Sequence, residues 1–194
     1  MADYTTVSAM KTYLHITGSA HDSLLADLVT RASRLIDDHC GRWFVPRAET
    51  RSFDAVGPHI SGRLLLLDAD LLSVTSVVNG DGTTISASDY LLRPLNWPPY
   101  FGIALKQSSG VRWTYTGDPE GAIHITGSWG YSETVPEVIT QATMRLAAWL
   151  YRQRDTGGEG TQVEVTDRGV AIAPPRLPLD VTQMLAPYIR LRIR

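Results

Sequence analysis

Two carboxylates, an imidazole and a thiol stand in a row at Asp37-Asp38-His39-Cys40, donor types that bind a divalent metal when they converge. His21-Asp22 has the composition of the pair in metal-dependent phosphohydrolases. Asp68 and Asp70 are spaced as two carboxylates able to divide acid and base work. The stretch "ITGSWGYSETVPE", residues 125–137, runs from an apolar strand through glycines into a helix start, the outline of a phosphate cradle.

Spacing removes most of this chemistry. Residues 37–40 lie at the end of a helical pattern, where i and i+1 neighbours point apart. Cys40 falls on the apolar stripe, so surface carboxylates beside a buried cysteine are expected. The remaining histidines, His15, His39, His59 and His124, show no i, i+3 or i, i+4 ligand spacing. The glycine run lacks the Walker spacing and the G-x-S-x-G elbow, and no Lys or Arg occurs between Arg112 and Arg145. Thr134-Val135-Pro136-Glu137 reads instead as a capping box with proline in the first turn. Asp68 and Asp70 are expected to flank a turn. Trp97, Trp113 and Trp129 offer aromatic faces for a sugar, though on strands and in a proline-rich loop they suit packing equally.

The elements that position these residues follow from periodicity. Thr5 or Thr6 caps a short helix through Leu14, and a longer helix runs from about His21 to Cys40 on Leu24, Leu25, Leu28, Ala32, Leu35, Ile36 and Cys40. Gly41 stands where a left-handed terminator is needed. From Glu49 to Trp129 short runs rich in β-branched and aromatic residues, "VRWTYT" among them, are separated by turn chemistry, predicting five to seven strands. A third helix spans about 136–154 on Val138, Ile139, Ala142, Leu146, Trp149 and Leu150. Then come a flexible 155–161 linker, a short strand pair within 162–173 and a brief helix from Asp180. The predicted class is α+β: an antiparallel helical body with an inserted antiparallel β-sheet or small barrel and an extended C-terminal tail. The expected division is 1–48 for the N-terminal body helices, 49–131 for the β-rich insertion, 132–155 for the third body helix and 156–194 for linker, strand pair and docking tail.

Composition bounds the function. The 194 residues carry 18 Lys and Arg against 20 Asp and Glu, a net charge of −2, so bulk attraction to nucleic acid or anionic membrane is not expected. One cysteine rules out an intrachain disulfide or a cysteine-based zinc cluster. The N-terminus is not a signal peptide and no run is long enough to span a membrane, so synthesis in the host cytoplasm is expected. Residues 49–131 carry five Lys and Arg against eight Asp and Glu, while 176–194 carry four arginines against Asp180. In "YIRLRIR", residues 188–194, apolar and basic residues alternate with period 2, a strand that closes on its own sheet or adds to a partner.

Three stretches resemble the head–tail connector (adaptor) proteins of long-tailed bacteriophages and of phage-derived gene transfer agents. They are "VSAMKTYLHITGSAHDSLLADLVTRASRLIDDHCGRWF", "AIHITGSWGYSETVPEVITQATMRLAAWLYRQRD" and "LPLDVTQMLAPYIR", roughly half the chain and mostly towards its ends. The resemblance implies no catalysis and no cofactor or metal. It implies a ring, usually twelve-fold, between the portal protein and the next neck protein (stopper or tail terminator) at the head–tail interface of a virion, with DNA passing through without specific binding. Carried onto this chain, the portal-docking residues are Leu185, Tyr188, Ile189, Arg190, Leu191, Arg192, Ile193 and Arg194. Two rival functions remain: a β-rich ligand- or carbohydrate-binding module using the three tryptophans, and a metal-dependent hydrolase using Asp68, Asp70 or His124.

Overall fold

The computed structural model describes residues 2–153, 163–166, 169–172 and 177–190, with backbone alone for 163–166 and 169–172. The chain divides into two compact units, Met1–Gly41 with Val135–Arg194, and Arg42–Thr134. It is α+β, as its sequence predicts.

The first unit is helical. Helix α1 (Val7–Leu14) starts where the Thr6 side chain accepts the Ala9 N–H at 3.1 Å, and ends at His15 in the left-handed region. Helix α2 (Asp22–Cys40) ends at Gly41, φ 64°, whose N–H bonds the Asp37 carbonyl at 2.8 Å. Helix α3 (Glu137–Gln153) packs against α2, and α4 (Leu179–Leu185) against α3. The buried stripe of α2 is Leu25, Leu28, Val29, Ala32, Ile36 and Cys40, and that of α3 is Ile139, Ala142, Leu146, Ala147 and Ala148. Leu35 and Val138, predicted on these stripes, lie exposed on their flanks, and Val29 and Ala147 take the central places. A polar strap closes the unit's N-terminus. Tyr4 donates its hydroxyl to Asp37 and its N–H to Ser33 Oγ at 3.1 Å, and Arg34 Nη2 donates to the Ala2 carbonyl at 2.7 Å. The first intrahelical bond of α3 is accepted by the Pro136 carbonyl from Thr140, so Glu137 opens the helix instead of closing a box with Thr134.

The second unit is an antiparallel sheet ordered β1 (Arg47–Phe53), β6 (Ile123–Trp129), β3 (Leu64–Val78), β5 (Tyr100–Leu105), β4 (Tyr90–Arg93), with β2 (Ile60–Ser61) paired to β3. One face holds the core, from Phe53 through Leu65, Leu71, Val77, Ile103, Ile123 and Ile125 to the fully buried Trp129. The two runs predicted around Asp68 and Asp70 are one 15-residue strand, and its bulges absorb the irregular pattern that reads as a turn. "VRWTYT" is not a strand. Arg63 donates to the carbonyls of Lys106 (2.7 Å) and Val111 (2.9 Å), and Trp113 Nε1 bonds the Arg63 carbonyl at 2.9 Å. Side chains and a single parallel bridge, Tyr115 to Gly80, hold that segment against the core, not a ladder. Gly127 lies within β6, where a Cβ would collide with the Ser73 carbonyl of the bulged strand. Gly130, φ 153°, makes the turn.

Among the described residues, β7 (Val163–Thr166) and β8 (Gly169–Ile172) form a separate antiparallel pair joined to no third strand.

Candidate assembly surfaces

The C-terminal segment is set in place by α4. Val181 and Leu185 are buried, Arg145 on α3 pairs with Asp180 at 2.6 Å, and Thr182 Oγ1 donates to the Pro178 carbonyl at 3.1 Å. The pair holds the Asp180 carboxyl below its ordinary value and the Arg145 guanidinium above its own, each through the hydrogen bond to the other. Leu185, expected on the docking surface, is fully buried. It roots the segment in the helical unit and presents nothing outward. Pro187 sits in a 3-10 turn (Ala186–Tyr188), so the extended backbone begins at Ile189, one residue later than the alternation suggests. Ile189 is 43% exposed, and Tyr188 and Arg190 are half-buried. The Arg190 N–H donates to the Cys40 carbonyl at 2.8 Å. That carbonyl belongs to the last turn of α2, one of the acceptors a helix leaves unbonded at its C-terminus. The segment is thus tied to that end of α2 at a residue whose charge complements the helix dipole. Leu191, Arg192, Ile193 and Arg194 lie outside the described residues, as does the expected 155–161 linker.

The residues with catalytic potential do not converge. Asp68 makes two bonds to Arg51 Nη1, both 2.9 Å, while Asp70 is buried 3.6 Å from Arg42. Each carboxylate thus faces its own arginine, as structural carboxylates do. His124 Nδ1 lies 2.9 Å from Ser52 Oγ, but no carboxylate among the described residues orients the ring, so the pair lacks the third member of a nucleophile relay. Asp37, expected at the surface, is buried, because Tyr4 and Arg34 (3.1 Å) cover it. Asp22 pairs with Lys11 at 2.8 Å, and the His21 ring meets Tyr151 edge-on at 5.9 Å. No group of three metal-ligating side chains occurs among the described residues. The tryptophans form no platform either: Trp129 is buried, Trp113 packs against the core, and Trp97 stands 76% exposed in the loop before β5.

An arrangement that spacing alone did not reveal lies along β1. Arg47 and Arg51 stack over Trp43 at 4.1 and 4.8 Å, and Arg51 also over Trp129 at 5.1 Å, closing the core at the sheet edge. Arg51 Nε bonds Glu49 at 2.6 Å. The available signal was the alternation of Arg47, Glu49 and Arg51 behind Trp43. The opposite face of β1, β6 and β3 carries two rows of small and hydroxyl residues, Ala48-Ser128-Ser73 and Thr50-Thr126-Ser76, and a third, mixed row, Ser52-His124-Val78. No lysine or arginine stands in these rows.

No protein-family model and no curated protein matches the sequence. Solved structures do match its fold over nearly its full length. A chain in the neck of an empty gene transfer agent particle, computed with C6 symmetry, aligns at TM-score 0.60 and 17% identity, covering 98% of this chain and 92% of that one. A chain in the neck of the native particle, computed with C12 symmetry, aligns at 0.61 and 16%, covering 97% and 90%. A chain in the virion of the native particle aligns at 0.62 and 18%, covering 98% and 92%. The resemblance read in the sequence is met at the level of the fold: both units, in order, have the fold of chains found in gene transfer agent particles and their necks.

Proposed function

We propose that this chain is a structural subunit of the neck of a phage-like particle: a ring-forming connector that docks on the portal protein through its C-terminal segment and receives the next neck protein on its other side. The observation that carries this reading is the full-length fold likeness to chains in particle necks of C6 and C12 symmetry. The dispersed carboxylates, Asp68 and Asp70 each facing its own arginine, agree with a structural role. The docking surface is the C-terminal sequence from Ile189, with Leu185 as its buried root. In sequence, Arg190, Arg192 and Arg194 alternate with Ile189, Leu191 and Ile193, the pattern that strand addition to the portal would sort into a basic and an apolar side.

The two hydroxyl rows on the β1–β6–β3 face, which hold no lysine or arginine, suit a protein beside moving DNA. Each added phosphate contact would strengthen salt-dependent binding and slow translocation. The chain's net charge of −2 points the same way.

The test is to mix the purified protein with the portal encoded in the same genome and view the particles end-on by electron microscopy. A second ring stacked on the portal is expected. Removal of residues 188–194 should leave the monomer folded, at a cost of about 1 kcal/mol for the lost bond to the Cys40 carbonyl, and should abolish portal binding. Bare portals at micromolar wild-type protein would overturn the reading. A truncated chain that still binds would remove the latch from it.

A further inference from the structure

The β7–β8 pair is a sheet of two strands with both outer edges open among the described residues. An isolated two-stranded hairpin is marginal in water, and its edge N–H and C=O groups template further pairing. The six-stranded sheet guards its two edges. Edge strand β1 places Arg47, Glu49 and Arg51 at alternate, inward positions, and β4 is four residues long and followed by Pro94. The hairpin shares the shortness of β4, with four residues in each strand and Pro174 two positions past β8, but it has no row of charged residues at alternate positions. Its strands read Val-Glu-Val-Thr and Gly-Val-Ala-Ile, with one charged residue, no proline and four aliphatic β-branched residues. Val163 pairs with Ile172 and Val165 with Val170, so the branched residues occupy alternate rungs.

We infer that β7 and β8 are a ring-closing element: β8 of one copy pairs with β7 of the next, and the hairpins together form a closed antiparallel β-barrel. The inference rests on the ring proposed above and identifies the edges by which its subunits join. Symmetry favours this occupant. A ring of identical chains needs two different, complementary surfaces on each chain, and the two edges of one hairpin are such a pair. Because β7 and β8 run antiparallel, continuing the alternation across a rotation axis keeps every new pair antiparallel and leaves no edge once the ring closes. The chain lengths permit the reach. Nine residues containing Gly157, Gly158 and Gly160 (154–162) separate α3 from β7, a span of up to about 30 Å, and six residues (173–178) lead from β8 to α4. Twelve copies would contribute roughly 24 strands, enclosing a barrel about 37 Å across before tilt at about 4.8 Å per strand.

Hydrogen–deuterium exchange on the full wild-type chain tests this, comparing the monomer with the assembled ring before and after portal is added. Backbone amides of Val163–Thr166 and Gly169–Ile172 should exchange on the order of 100-fold more slowly in the ring than in the monomer, with no portal required. Val165→Pro with Val170→Pro should leave the monomer's melting unchanged and prevent ring closure. A ring whose hairpin amides still exchange at the monomer's rate overturns this inference alone. Protection that appears only once portal is bound also overturns it, since the edge partner is then the portal. No ring under any condition overturns both readings.

Discussion

The six-stranded sheet and the β7–β8 hairpin treat the same hazard in opposite ways. In the sheet, Arg51 spans Glu49, Asp68, Trp43 and Trp129, so the inward side of edge strand β1 is filled by charge and stacked rings. A strand arriving from outside gains no apolar surface there. The far edge, like each strand of the hairpin, is four residues long, so the contrast lies at β1. The hairpin is β-branched, nearly uncharged and open on both sides among the described residues. Among the described residues, the chain fills one sheet edge with charge and leaves both hairpin edges without such a row. The difference teaches where the fold is complete within one chain and where it looks to another.

The sharpest way to break the comparison is to damage the complete region. Gly127→Val drives a branched side chain into the Ser73 carbonyl, and Trp129→Ala empties the centre of the core. Each should cost roughly 3–5 kcal/mol, read as a fall in melting temperature and loss of near-ultraviolet ellipticity in the isolated monomer. If the monomer tolerates both, the sheet is not self-sufficient and the contrast with the hairpin dissolves. A smaller lesion tests the guard itself. Arg51→Ala removes a two-bond ion pair and two ring contacts from a side chain only 18% exposed, for an expected loss of about 1–3 kcal/mol by urea denaturation. The variant should also self-associate, visible as rising light scattering at native temperatures. Stability lost without association would show that the arginine supports the core and does not defend the edge.

How much of this was legible in the sequence depends on the kind of signal. The helices were, because Thr6, Gly41 and a 3.6-residue stripe act locally. Asp68 and Asp70 misled, because a bulged strand interrupts its own alternation and an acidic pair inside it looks like a turn. Val111, Trp113 and Tyr115 alternate like a strand, yet their segment is held by Arg63, about fifty positions away in sequence, and local pattern cannot report that. The same limit hid the burial of Asp37, whose covering groups include Tyr4, and the closure of the core by Arg51. For the docking segment the alternation was visible, but the buried anchoring of Leu185 was not, since an apolar residue has the same letter whether it grips its own chain or another.

The smallest effect concerns the root of that segment. Asp180 is titrated downward chiefly by its hydrogen bond to Arg145, so its folded value lies below the unfolded value of about 3.9. A carboxylate shifted in this sense adds stability above its unfolded value and loses it as pH falls through the folded one. Both partners are exposed, so water and salt screen the pair and the gain is slight. The wild type should therefore lose a little more stability than Asp180→Asn between about pH 5 and pH 3, and the difference should shrink in high salt. Above pH 5 the variant should melt marginally lower. Portal affinity supplies the second readout: Asp180→Asn should weaken it only slightly at neutral pH, because Val181 and Leu185 still seat α4. A large loss of affinity with unchanged melting would move Asp180 out of the root and into the contact surface itself.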